Sequence, residues 1–129
     1  MRQQTISVVI IDDDKMLCYL LTKALQFPEF GVVTAHDGAS GIELVSQIKP
    51  QLVLLDIDLP DMNGFTVLSK VQGISAYSKV IMTSVIPIMQ WRHYANEAHV
   101  DAVLPKPFSL HDLIDTIKKE LDPVYDLNN

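Results

Sequence analysis

One cysteine in 129 residues, Cys18, excludes an internal disulfide and fits a reducing compartment, so the fold must be held by its apolar core. No window reaches the roughly 18 continuous apolar residues of a membrane span. The N-terminus lacks the pattern of a signal peptide, because Met1-Arg2-Gln3-Gln4-Thr5 leads into a short apolar run that stops at three aspartates. Histidine is sparse: His36, His93, His99 and His111 are scattered without metal-ligand spacing. Positive charge is short too. Ten Lys and Arg stand against sixteen Asp and Glu, and the net charge of −6 disfavours direct contact with nucleic acid while fitting acidic groups gathered around a cation. Repeats and low-complexity segments are absent. What remains is globular: 48% of residues are hydrophobic and 20% charged, in a length that suits one domain with a sizeable core. A cytoplasmic protein off the membrane is the expectation.

Continuous apolar, β-branched runs read as buried strands. Ile6–Ile11 is the first, Val32–Ala35 the second, and Leu52–Leu55 the third, delivering Asp56. Val80-Ile81-Met82 is the fourth, ending at Thr83-Ser84, and Ala102-Val103-Leu104 is the fifth, ending at Pro105-Lys106-Pro107. Helical spacing separates them. Leu17, Leu20, Leu21, Ala24 and Leu25 mark a helix stopped at Phe27-Pro28. Asp37-Gly38 is a turn and N-cap for a helix carrying Ile42, Val45 and Ile48, ended by Pro50. Pro60–Gly64 reads as a loop before a helix with Phe65, Leu68 and Val71. Another helix is expected to open near Pro87. Its Ile88, Met89, Trp91 and Tyr94 divide between core and an exposed patch that would mark a partner site. Ser109 with Asp112 resembles a capping box ahead of Leu110, Leu113, Ile114, Ile117 and Leu121.

Five buried strands alternating with five helices imply an α/β domain with a parallel sheet covered on both faces. Such sheets bind ligands beyond the carboxyl ends of their strands. The polar residues at those ends are Asp12 and Asp13, Asp56, Thr83 and Ser84, and Lys106. Three carboxylates from two neighbouring strands repel one another unless a cation lies between them. Hard oxygen ligands without a His or Cys cluster point to Mg²⁺. Lys106 offers a compact positive charge for a phosphate oxygen, and a hydroxyl at the fourth strand end offers a hydrogen bond. Positioning and charge stabilisation are nearly all that phosphoryl transfer asks of a protein, so Asp56 reads as a nucleophile that becomes an aspartyl phosphate.

Four segments carry a resemblance: Val8–Asp13 with its acidic pair, Leu52–Gly64, Val80–Val85, and Lys106-Pro107-Phe108. Each is weak alone, but all four in order at strand ends are specific. Over essentially its whole length the chain resembles a bacterial two-component receiver (response-regulator) domain of the flavodoxin-like type. The resemblance implies a doubly wound, three-layer fold with strand order 2-1-3-4-5, a receiver spanning residues 1–122, and a tail or linker start at 123–129. It implies that Asp56 accepts a phosphoryl group from a histidine kinase or phosphotransfer protein. Asp13 and Asp56 would ligate Mg²⁺ directly, Asp12 largely through water, and the backbone carbonyl of Asp58 would add a ligand, with Mn²⁺ or Ca²⁺ able to substitute. Lys106 would pair with the phosphoryl group, across a Lys106–Pro107 bond often cis in such domains. The family's hydroxyl precedes its lysine by 22 positions, which selects Ser84, with Thr83 the second choice. An output partner or effector domain would dock on the face between the helix opening near Pro87 and the last helix, and homodimerisation stays open.

Two positions depart from the pattern. Val103 stands where such domains usually carry an aromatic switch, and Val85 stands where a small residue is usual, which would narrow access to the phosphoryl group. They keep open a pseudo-receiver that binds partners without phosphorylation. A phosphatase resembling the haloacid dehalogenase superfamily is a further alternative, since Asp56-Ile57-Asp58 matches its acid pair. Against it, that pair belongs on the first strand and before a Gly-Thr type turn, whereas Leu59-Pro60 follows here. A phospho-acceptor is not expected to be a turnover enzyme, beyond slow loss of its own phosphate. Cys18 reads as a packing residue, and Asp14 and Asp61 as solvated loop charges.

Overall fold

The runs that are apolar on both faces form the centre of the sheet, and the less buried runs form its edges. The computed structural model describes residues 5–26, 30–87, 90 and 100–121. Its strands are β1 (Ile6–Ile11), β2 (Phe30–Ala35), β3 (Leu52–Asp56), β4 (Lys79–Ser84) and β5 (Ala102–Pro105). Its helices, among the described residues, are α1 (Lys15–Ala24), α2 (Gly38–Ile48), α3 (Gly64–Ile74) and α4 (Leu110–Leu121). All strand pairs are parallel, in the order β2-β1-β3-β4-β5. Every residue of β3 is buried, as a continuous apolar strand at the centre of a covered sheet must be.

Alternation along the strands splits the core into two layers. Ile6, Val8, Ile10, Leu52, Leu54 and Ile81 pack against Cys18, Leu21 and Leu25 and against Leu113, Ile117 and Leu121 of α4. Val9, Ile11, Val53, Leu55, Val80 and Met82 pack against Val45 of α2 and Val67, Leu68 and Val71 of α3. The doubly wound, three-layer reading holds.

Several boundaries shift. β2 begins at Phe30 rather than Val32, because its pairing with β1 starts at Ile6 opposite Phe30. α3 begins at Gly64, capped by Asn63, so the loop before it is one residue shorter than expected. On α1 the buried stripe is Cys18, Leu21 and Leu25, while Leu20 is exposed. Leu110 is likewise exposed, and α4 is held by Leu113, Ile117 and Leu121. The Phe27-Pro28 stop, the helix expected near Pro87 with its Ile88, Met89, Trp91 and Tyr94 cluster, His93, His99 and the tail at 123–129 lie outside the described residues.

The expected caps are present. Asp37 accepts the Ser40 N–H at 2.7 Å, and the Ser109 hydroxyl accepts the Asp112 N–H at 3.0 Å. Removing the first, as Asp37→Ala, is expected to cost about 1 kcal/mol. It should appear as a lower urea midpoint at unchanged slope.

Candidate functional site

Parallel pairing places the acids side by side. Ile10 and Ile11 of β1 pair with Leu54 and Leu55 of β3, so Asp12 continues one strand beside Asp56 on the next. Asp12 follows the inward series Ile6, Val8, Ile10, and Asp56 follows Leu52 and Leu54. Both end on the same face of the sheet at its carboxyl edge. Asp12 is 3% exposed and Asp56 5%, while Asp13 beside them is exposed. Carboxylate oxygens of Asp12, Asp13 and Asp56 all lie within 4.8 Å of one another.

Each acid is held differently. The Asp12 carboxylate accepts the Asp14 N–H at 2.9 Å and the Lys106 Nζ at 2.8 Å. Asp56 Oδ1 accepts the Asp58 N–H at 3.2 Å, and its Oδ2 lies 3.5 Å from Lys106 Nζ. The nucleophile candidate is thus the less tightly bonded of the two buried acids. Burial, and after it the charge of Asp12, push the Asp56 carboxyl up to about 6; Lys106 and the Asp58 N–H offset only part of this. Burial works to lower the Lys106 pKa, but the hydrogen bond and charge of Asp12, with Asp56 behind them, outweigh it and hold the ammonium above its ordinary value. Lys106 is delivered by the turn after β5, whose backbone is tied to β4 by the Lys106 N–H on the Ser84 carbonyl at 2.8 Å. The Lys106–Pro107 bond is cis.

The two hydroxyl candidates occupy different places. Thr83 pairs in register with Asp56, and its carbonyl accepts the Ile57 N–H at 2.9 Å. Ser84 is one residue nearer the carboxyl edge, buried, with its Oγ accepting the Ile86 N–H at 2.9 Å. That leaves the serine proton to be donated elsewhere. Val85 is 69% exposed, and Val103 is half-buried against the layer that α2 and α3 cover. Cys18 donates its Sγ proton to the Asp12 carbonyl at 3.3 Å. Burial and the charges of Asp12 and Asp14 push its thiol up to about 12, so it packs as an inert residue.

Two acids taken for solvated loop charges have bonded roles. Asp14, although exposed, caps α1 by accepting the Leu17 N–H at 3.0 Å, so Asp12 and Asp13 are not needed as caps. Asp61, also exposed, accepts the N–H groups of Gly38 and Ala39 at 2.7 and 2.9 Å. Those bonds hold its carboxyl below the usual range. The Asp14 cap is readable from its place just before α1. The Asp61 contact spans 23 residues and leaves no local signal.

The donor set suits a hard divalent cation. The oxygens of Asp12, Asp13 and Asp56, all within 4.8 Å of one another, are close enough to serve one small divalent cation. No helix of the described residues is long and apolar enough to cross a membrane.

Comparison with known proteins agrees with this geometry. The family model described as the response regulator receiver domain matches residues 8–118. A probable transcriptional regulatory protein, TcrX of Mycobacterium tuberculosis, is 30% identical over 111 residues, covering 86% of this chain and 47% of TcrX. The response regulator MprA of the same species is 26% identical over 110 residues, 85% of this chain and 48% of MprA. The chain spans about half the length of these curated relatives. Among solved structures, a receiver domain protein from Methanospirillum hungatei superposes with a TM-score of 0.87 at 28% identity, covering 92% of this chain and 95% of the other. With its sheet order, its strand-end acids and its lysine in place, the chain belongs to the response regulator receiver domain family of two-component signalling proteins.

Proposed function

We propose that Asp56 is the phospho-acceptor of this receiver, taking a phosphoryl group from a phosphohistidine on a histidine kinase or phosphotransfer protein. The observation that carries this reading is a buried carboxylate raised to about 6, kept among two other acids and 3.5 Å from a lysine. Such an arrangement costs stability and is explained by chemistry. Asp13 and Asp56 would hold Mg²⁺ directly, Asp12 largely through water, and the Asp58 carbonyl would add a ligand. A bound Mg²⁺ supplies charge neutralisation at the phosphoryl group.

An Asp56 carboxylate oxygen attacks phosphorus as the bond to the donor imidazole nitrogen breaks. That nitrogen keeps the electron pair and is protonated. Lys106 is close enough to Asp56 to meet an oxygen of a phosphoryl group placed there. Ser84 donates its remaining proton to another, and Thr83 is the second choice for that task. Phosphorylation then shifts an existing equilibrium between conformers, which an output partner or effector domain reads. The receiver spans residues 1–122 and works in the cytoplasm.

A pseudo-receiver is the second reading, favoured by Val103, which puts an aliphatic side chain where such domains usually carry an aromatic one. Acetyl phosphate with Mg²⁺ separates the readings. Labelling should rise to one phosphate per chain, stop there, and be prevented by a chelator. No label at all would favour the pseudo-receiver, whereas sustained release of phosphate from a phosphomonoester would favour a phosphatase.

A further inference from the structure

The loop joining β3 to α3 is fastened at its tip by a carboxylate that the chemistry of Asp56 does not use. Asp61 places one oxygen on the Gly38 N–H at 2.7 Å and the other on the Ala39 N–H at 2.9 Å. Both donors lie in the first turn of α2, where amide groups lack partners within the helix. The negative charge also faces the positive end of that helix. Yet α2 already has a cap, since Asp37 accepts the Ser40 N–H at 2.7 Å.

Packing seats the same loop tip independently. Gly38 is buried, and a Cβ on it would stand 2.5 Å from Met62 Cγ and 2.8 Å from Met62 Sδ. The absence of a side chain at Gly38 is what lets Met62 lie against α2. The loop is closed at its neck by an antiparallel bridge between Asp58 and Asn63, and Asn63 caps α3 through the Phe65 N–H at 2.7 Å. From the neck, the Asp58 N–H reaches Asp56 Oδ1 at 3.2 Å. A short route of bonded groups therefore runs from α2 through Asp61 and the loop neck to the Asp56 carboxylate.

We infer that Asp61 is a positioning residue for the Asp56 site: by clasping the β3–α3 loop to α2 it fixes Asp58, whose N–H orients the Asp56 carboxylate. Its bearing on a cation at the Asp58 carbonyl rests on the reading proposed above. The clasp itself does not.

The test compares Asp61→Ala, Asp61→Asn and Asp37→Ala in the full chain. Amide hydrogen exchange is measured without metal, and Mg²⁺ affinity is measured by calorimetry. In Asp61→Ala the Asp58 and Gly64 amides should exchange about tenfold faster relative to core amides such as those of Val9 and Val53. The Mg²⁺ dissociation constant should rise about tenfold. Asp61→Asn, which keeps one oxygen acceptor, should fall between this variant and the parent. Asp37→Ala frays the same first turn of α2 but leaves the loop its carboxylate, so both readouts should move clearly less than in Asp61→Ala. Unchanged loop amides in Asp61→Ala, or an equal response in Asp37→Ala, would overturn the clasp. Loop amides that loosen as expected in Asp61→Ala, together with a parent protein that takes up no Mg²⁺, would sustain the clasp and overturn the cation site instead.

Discussion

Replacing Asp56 by Asn is expected to give a protein that takes no phosphoryl label and, without metal, resists urea better than the parent at pH 7. The first result follows from removing the attacking oxygen. The second follows from linkage. The Asp56 carboxyl rises from 3.8 to about 6 on folding, so the folded state favours its protonated form. That preference stabilises fully below about pH 4 and is lost as pH rises through 6; at pH 7 the ionised group is a net burden. The full shift corresponds to roughly 3 kcal/mol. Solvent reaching the site beside exposed Asp13 screens part of this, leaving about 1–2 kcal/mol. Asn carries no charge to bury, so Asp56→Asn should gain that amount at pH 7 and almost nothing near pH 4, by urea melts in a chelator. Saturating Mg²⁺ should restore the parent toward the variant, because a ligand that binds only the folded state stabilises it. Equal midpoints at pH 7 would remove the burial argument, and labelling that survives in Asp56→Asn would sink the site.

Gly64→Ala should be the most damaging small substitution at the site. A Cβ at Gly64 would stand 2.6 Å from the Asp56 carbonyl oxygen, 2.6 Å from Ile57 Cα and 3.0 Å from the Ile57 carbonyl oxygen. All three are backbone atoms, so no side chain can rotate away. The Gly64 N–H is also committed to the Ile57 carbonyl at 2.7 Å. The start of α3 must retreat and draw the end of β3 with it, costing about 3 kcal/mol. Displacing the Asp56 backbone by a fraction of an ångström should slow labelling by about tenfold or more. Gly73→Ala on the same helix is the control. Nothing lies within 4 Å of its Cβ, so it should stabilise by roughly 0.5–1 kcal/mol and leave labelling unchanged. A Gly64→Ala variant that melts and labels like the parent would show that the close approach is absent.

The sheet was legible because its strands are buried on both faces. Leu52–Leu55 has no polar residue to hide, so the first charged residue after it had to lie at an edge. The same logic found Asp12, Asp13 and Lys106, which the sheet brings together. Reading failed where packing breaks local ties. Leu20 fits a helical stripe as well as Cys18 does, and only the angle at which α1 meets the sheet decides between them. Asp61 looked idle because its partners lie 23 and 22 residues upstream. The hydroxyl could not be chosen from strand length, since Thr83 sits in the Asp56 row while Ser84 lies one residue farther out.

The ammonium between Asp12 and Asp56 has a kinetic consequence. Three carboxylates against one lysine leave the pocket with a formal charge of −2. An anionic phosphodonor approaching that mouth is repelled, whereas a small dication is drawn in. Once a dication has entered, the pocket is formally neutral and the donor meets no barrier of sign. On the reading proposed for Asp56, that charge balance favours cation before phosphodonor, because Lys106 alone cancels too little of it.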